Sequence, residues 1–156
     1  MPLQARDRDV LTHWDELDFV DILGTRNCIL RIDAADGPSD AVVLAVWYEA
    51  NVRLPAHHHP CGHVEVILDG SLCVGDRWER AGSIRVVPPG FSYGPLVAGP
   101  EGCKALEFFP DSDAFLAEID HPEELVALIG AQDPATLQAK LERLLGDGAP
   151  TSFFGG

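Results

Sequence analysis

Basic residues are scarce in this chain: 11 Lys and Arg stand against 25 Asp and Glu, leaving a net charge of -14. Nucleic acids and anionic membranes are held by clustered cations, so this balance excludes a general binder of either. No apolar run is long enough to span a bilayer, and the opening MPLQARDRDV lacks the apolar region of a secretory signal, so the expected location is cytoplasmic. The four cysteines, Cys28, Cys61, Cys73 and Cys103, have no CxxC spacing. That excludes a zinc ribbon and a disulfide scaffold, and most of them are expected to be small buried hydrophobes. No cluster of basic residues marks a phosphate site, so phosphosugars are disfavoured as substrates.

What is present is a core. With 156 residues, 46% of them hydrophobic, the chain is long enough to bury one without staples. Asp18 to Leu23, Asn27 to Asp33 and Ala41 to Glu49 read as strands rich in Val, Ile, Leu or aromatics. Further strands are expected at His63 to Asp69, Ser71 to Val74, Asp76 to Glu79, Gly82 to Val87 and Cys103 to Phe109. Turn signals separate them at Gly24, Asp36-Gly37-Pro38-Ser39, Asp69-Gly70, Gly75-Asp76, Ala81-Gly82, Pro88-Pro89-Gly90 and Gly99-Pro100. Many short strands without intervening helices predict an antiparallel sandwich or barrel.

After Pro110 the pattern changes. Asp111 to Ile119 opens with capping-type residues, His121-Pro122-Glu123-Glu124 leads into LVALIG, and Asp133-Pro134 precedes a helix ending at Gly146. Leu137, Leu141, Leu144 and Leu145 recur at helical spacing, with Asp at the cap and Pro at the first helical position. The organisation expected is a barrel with an N-terminal strand arm over 1–110 and a helical extension over 111–156, packed on the barrel or on a partner subunit. Thr151 to Gly156 reads as a loose tail.

Chemistry concentrates in LPAHHHPCGHVEVILDG, Leu54 to Gly70, which gathers four of the six histidines. Side chains alternate along an extended strand, so His57 and His59 share a face and His58 points away. An isolated HHH is more often a solvated loop, but the internal position and flanking strands favour a metal site here. After the Pro60-Cys61-Gly62 turn, His63, Glu65 and Ile67 share the next inward face. Three neutral imidazoles, His57, His59 and His63, would leave a divalent ion its full charge, in a site suited to zinc, iron, nickel or copper. Cys61 lies close enough in sequence to reach it.

The segment from His57 to Gly90 resembles the small single-domain cupins. Their first motif runs G-x5-H-x-H-x3,4-E-x6-G and their second G-x5-P-x-G-x2-H-x3-N. His57, His59 and Gly70 match the first; Gly82, Pro88 and Gly90 match the second. His63 stands where the resemblance places a glutamate ligand and Tyr93 where it places a histidine, while Asn51 and Val97 replace the outer Gly and Asn. The resemblance implies an all-β fold, an antiparallel double-stranded β-helix or jelly-roll (RmlC-like cupin) barrel. It also implies a divalent transition metal, a small-molecule substrate and a homodimer.

Tyr93 can ligate as phenolate, act as acid or base, hydrogen-bond substrate or fill the barrel mouth. Glu65 can be an extra ligand, a base or a partner that orients an imidazole. His58, His13 and His121 are expected to be structural or exposed, and Arg53 and Arg85 to be surface charges. Trp47, Val66 or Ile67, Val87, Phe91 and Phe108 are available to line an apolar pocket. Three functions follow: a metal-dependent dioxygenase, a non-redox lyase, cyclase or isomerase, and a binding module without turnover. The uncharged metal set favours the first.

Overall fold

The molecule, analysed as a computed structural model, describes residues 3–5, 8–34, 36–37, 39–130 and 132–146; the expected tail at 151–156 lies outside them. The Val-, Ile- and Leu-rich stretches form strands β1 Leu3–Ala5, β2 Val20–Ile22, β3 Thr25–Ile32, β4 Ala41–Tyr48, β5 Arg53–Leu54 and β6 His57–His58. Strands β7 His63–Val74, β8 Arg77–Arg80, β9 Ile84–Val87, β10 Leu96–Phe109 and β11 Glu118–Ile119 follow, then helices α1 Pro122–Ile129 and α2 Pro134–Leu145. The main sheet runs β1-β3-β4-β10-β7-β8, with β2 added to β3, β5 to β10 and β9 to β7, while β6 pairs with β11. Every pairing is antiparallel except that of β1 with β3.

Two of the expected turns are not turns. Asp69-Gly70 lies within β7 and Gly99-Pro100 within β10, two long strands that pair along their length with register shifts. Glycine is required at the bend they share. Gly70 has φ +74, and a Cβ there would sit 2.1 Å from the Gly102 carbonyl oxygen. The Asp-Gly pair therefore marks a close backbone approach and not a chain reversal. A second correction concerns 111–119, which forms turns and the short β11 instead of a helix. Its Asp111 side chain caps only a local turn, accepting from the Asp113 N–H at 2.8 Å.

The antiparallel registers align one lateral row of inward side chains across five strands. Ile29 faces Leu44, Leu44 faces Glu107, Glu107 faces Glu65, and Glu65 faces Arg85. Two members of this row are aliphatic and three are ionisable. A neighbouring row, Asn27, Val46, Ala105 and Ile67, continues the interior. Arg85 is thus no surface charge: its side chain is 8% exposed. Its Nε and Nη2 both donate to Glu65 Oε1, at 3.3 and 2.9 Å, and Nε lies 3.1 Å from Glu79 Oε1. Arg53 does stay at the surface, paired with Glu124 at 3.5 Å.

Helix α2 is started by Asp133, whose carboxylate accepts from the Thr136 N–H at 2.9 Å, with Pro134 in the first turn. Its leucine stripe, Leu137, Leu141, Leu144 and Leu145, is buried, and the helix packs against β2 and β3. The C-terminal segment therefore closes over its own barrel. Among the described residues no helix is long and apolar enough to cross a membrane.

Buried ion pairs are costly to break because the partner left behind is an uncompensated charge. Arg85→Met should destabilise the fold by about 3–5 kcal/mol, read from the urea midpoint at unchanged m-value. A loss under about 1 kcal/mol would mean that the carboxylates around Arg85 are compensated elsewhere.

Candidate metal centre and cavity

Backbone pairing brings the two halves of the site together. His57 and Tyr93 exchange both of their main-chain hydrogen bonds at 3.0 Å, and the Gly90 N–H donates to the His59 carbonyl at 2.9 Å. The turn at 88–90 thereby sets Tyr93 against the histidine strand. Alternation does the rest: His57 and His59 are buried, whereas His58 turns away to Asp120 at 2.9 Å and Glu118 at 3.1 Å.

The rings of His57, His59, His63 and Tyr93 form one aromatic group. Centroids are 5.3 Å apart for His57 and His59, 4.7 Å for His59 and His63, and 4.7 Å for His57 and Tyr93. Phe109 floors the group, stacked on His63 at 4.8 Å. Two of the imidazoles have their tautomer set by a main-chain carbonyl. His57 Nδ1–H donates to Pro55 O at 3.0 Å and His59 Nδ1–H to Phe115 O at 2.5 Å, which leaves each Nε2 with a lone pair. His59 Nε2 and His63 Nδ1 are buried without a partner among the described residues.

Burial keeps these rings neutral. It lowers the pKa of His57, takes His59 down to about 4 and takes His63 down to about 3. Tyr93 is pushed the other way, well above its ordinary value, chiefly by burial. It remains a phenol, with its Oη 3.4 Å from His63 Nε2. Arg85 lies over its ring, 4.1 Å from the centroid, so the buried ion pair also supports the tyrosine.

Glu65 shares the inner face with His63, as its parity requires, and is fully buried. Its carboxylate is engaged by Arg85 rather than by an imidazole. Cys61 packs against the cluster containing Val20, Val42, Phe109 and Phe115, with its thiol pKa raised by burial. Among the described residues, no three His, Cys, Asp or Glu side chains stand as a ready-made metal-holding group. The imidazoles nonetheless fit a divalent ion in donor type: they are neutral, buried and, for His57 and His59, oriented through Nδ1 as ligating histidines are.

A cavity of about 310 Å³ opens beside this group. His57 and His59 lie in its wall with Thr25, Asn27, Tyr48 and Glu107, and the remainder is almost wholly aliphatic. Helices α1 and α2 supply much of that aliphatic wall, including Leu128, Leu141 and Leu145. None of the aromatics and valines expected as lining contributes. The pleat puts Phe108 on the outer face, 42% exposed, and Phe91 is 57% exposed. Trp47 lies outside under Arg26 and Lys104, while Ile67 and Val87 are consumed in the core.

Glu107 is the residue that strand reading overlooks. A lone carboxylate inside the apolar run ALEFF was the available signal, since an inward strand position flanked by Leu and Phe has no water to solvate it.

No protein-family model matches the sequence, and no curated protein matches it. Solved structures do. The chain is similar to the polyketide cyclase RemF from Streptomyces resistomycificus, with 21% identity, coverage of 73% of this chain and 87% of that one, and a TM-score of 0.61. An RmlC-like cupin from Shewanella frigidimarina aligns at 18% identity over 66% and 92% of the two chains, with a TM-score of 0.53. A cupin-like protein of unknown function from Ralstonia eutropha aligns at 16% over 81% and 90%, with a TM-score of 0.55. Similarity at these identities speaks to architecture, and together with the strand order and the two interlocked motifs it makes this chain a protein of the RmlC-like cupin fold.

Proposed function

We propose that this protein is a metal-dependent enzyme that rearranges or cyclises a small, largely apolar organic molecule without redox chemistry. The observation that carries the reading is the wall of the cavity: two neutral imidazoles with free lone pairs stand in a mainly aliphatic chamber. His57, His59 and His63 would hold the ion. A divalent transition metal held there would supply Lewis acidity toward a substrate carbonyl.

The chain's own groups do the remainder. The aliphatic wall selects an apolar guest and orients it. Tyr93 Oη keeps its proton because burial penalises the phenolate, so it can hold or donate a proton beside His63 Nε2 where negative charge develops on oxygen. Neutral proton-bearing groups tilt the choice away from the dioxygenase favoured by the uncharged imidazole set alone. The name of the RemF cyclase points the same way.

Protein purified without an affinity tag should carry about one divalent ion per chain by elemental analysis, and the His57→Ala/His59→Ala double variant should carry none. Equal metal in both would sink the metal site. Turnover can be followed without oxygen as deuterium exchange at the α-carbon of a bicyclic aryl ketone. Tyr93→Phe should slow it by ~10²-fold or more at unchanged metal content. A loss below about threefold assigns Tyr93 to packing, and oxygen uptake by the iron-loaded protein with a diketone would favour the oxygenase.

A further inference from the structure

The wall of the cavity contains a carboxyl group for which the metal chemistry has no use. Glu107 is 4% exposed and lines the chamber from near the C-terminal end of β10. Its cross-strand partner is Glu65, and two carboxylates directly opposite each other in a sheet repel. The hydrogen bonds resolve the conflict. Glu65 Oε1 accepts twice from the Arg85 guanidinium, so the cation is spent on Glu65. Glu107 is left without that cation, and burial, with the Glu65 charge opposite, raises its pKa well above the ordinary carboxylate range.

A carboxyl group in a cavity wall offers its ligand a carbonyl oxygen, and a carbonyl oxygen only accepts. Glu107 lies two residues along β10 from Phe109, the floor of the imidazole group, which is about 7 Å of strand. The chamber wall therefore carries Glu107 as a polar group distinct from the imidazoles, with Thr25, Asn27 and Tyr48 as its other polar members.

We propose that Glu107 is the specificity-determining acceptor of this chamber, selecting a neutral, mainly hydrocarbon ligand that presents a hydroxyl or phenol proton to it and rejecting carboxylate anions. The proposal rests on reading the chamber as the substrate site but not on the metal or on turnover. A carboxylate at this end would meet the Glu65–Glu107 pair and find only Arg85 as a counter-charge, already engaged by Glu65 and Glu79. A hydroxyl instead brings no charge and donates to the Glu107 carbonyl oxygen. Asn27, on the same inner side of β3, has its amide N–H directed to Thr25 Oγ1 at 2.8 Å, and Thr25 in turn donates to the Ile22 carbonyl at 2.7 Å. These neighbours are tied to one another.

Calorimetric titration of the chelator-treated full chain with 2-naphthol, 2-methoxynaphthalene and 2-naphthoate tests it. The wild type should bind 2-naphthol about three- to tenfold more tightly than its methyl ether, the span of one net hydrogen bond, and should bind 2-naphthoate more weakly than either. Glu107→Leu should bring 2-naphthol and the ether to within about twofold, while Glu107→Gln, whose amide keeps a carbonyl oxygen, should retain the preference. Equal binding of 2-naphthol and the ether by the wild type overturns the proposal without recourse to any variant. So does a preference that survives Glu107→Leu, a tighter complex with 2-naphthoate, or no binding of any of the three. Because metal is absent throughout, loss of the preference in Glu107→Leu upholds Glu107 even if the metal reading fails.

Discussion

One guanidinium holds the polar interior of this barrel together. Arg85 binds Glu65 on the adjacent strand, touches Glu79 and lies over the ring of Tyr93, all with 8% of its side chain exposed. Without a cation there, the two carboxylates would face each other in a medium that cannot solvate them. With it, Glu65 has a hydrogen-bonded counter-charge, while the pKa of Glu79 is raised to about 7 by burial and by Glu65. Glu107 has no such partner, and burial raises its pKa well above the ordinary carboxylate range. The same side chain thus settles which carboxyl is charge-paired and what supports the tyrosine at the candidate site.

The imidazole group is organised by a different device. Its members come from β6, the head of β7 and the turn before β10, and they meet because main-chain bonds pair His57 with Tyr93 and His59 with Gly90. Carbonyls of Pro55 and Phe115 then set two of the rings. Phe115 belongs to the segment after the barrel, so the C-terminal extension orients a histidine as well as walling the cavity. The α2 leucines are buried where the helix packs over β2 and β3, and the same helix walls the chamber.

Much of this was legible in the chain. Alternation alone separates His57 and His59 from His58, because successive side chains of an extended strand oppose one another. Spacing to Gly70 and Gly90 assigns His63 and Tyr93 to positions that the structure brings into one aromatic group. Strand β4 and helix α2 were marked by their apolar period and by the Asp133-Pro134 start. Asp69-Gly70 misled because the left-handed φ that suits glycine to a hairpin also suits it to a bend where Gly102 approaches.

By itself the sequence determined which faces alternate, where α2 begins and which histidines can act together, since these depend on neighbours a few residues apart. Only the tertiary structure decided that Arg85 is buried, that Glu107 opposes Glu65 and that helices wall the cavity in place of Trp47 and Phe108. Each of these depends on register between strands distant in the chain, as when Glu65 meets both Arg85 and Glu107 across β9, β7 and β10. A shift of one residue in such a register exchanges the two faces of a strand, and nothing local to the residue records which face was chosen.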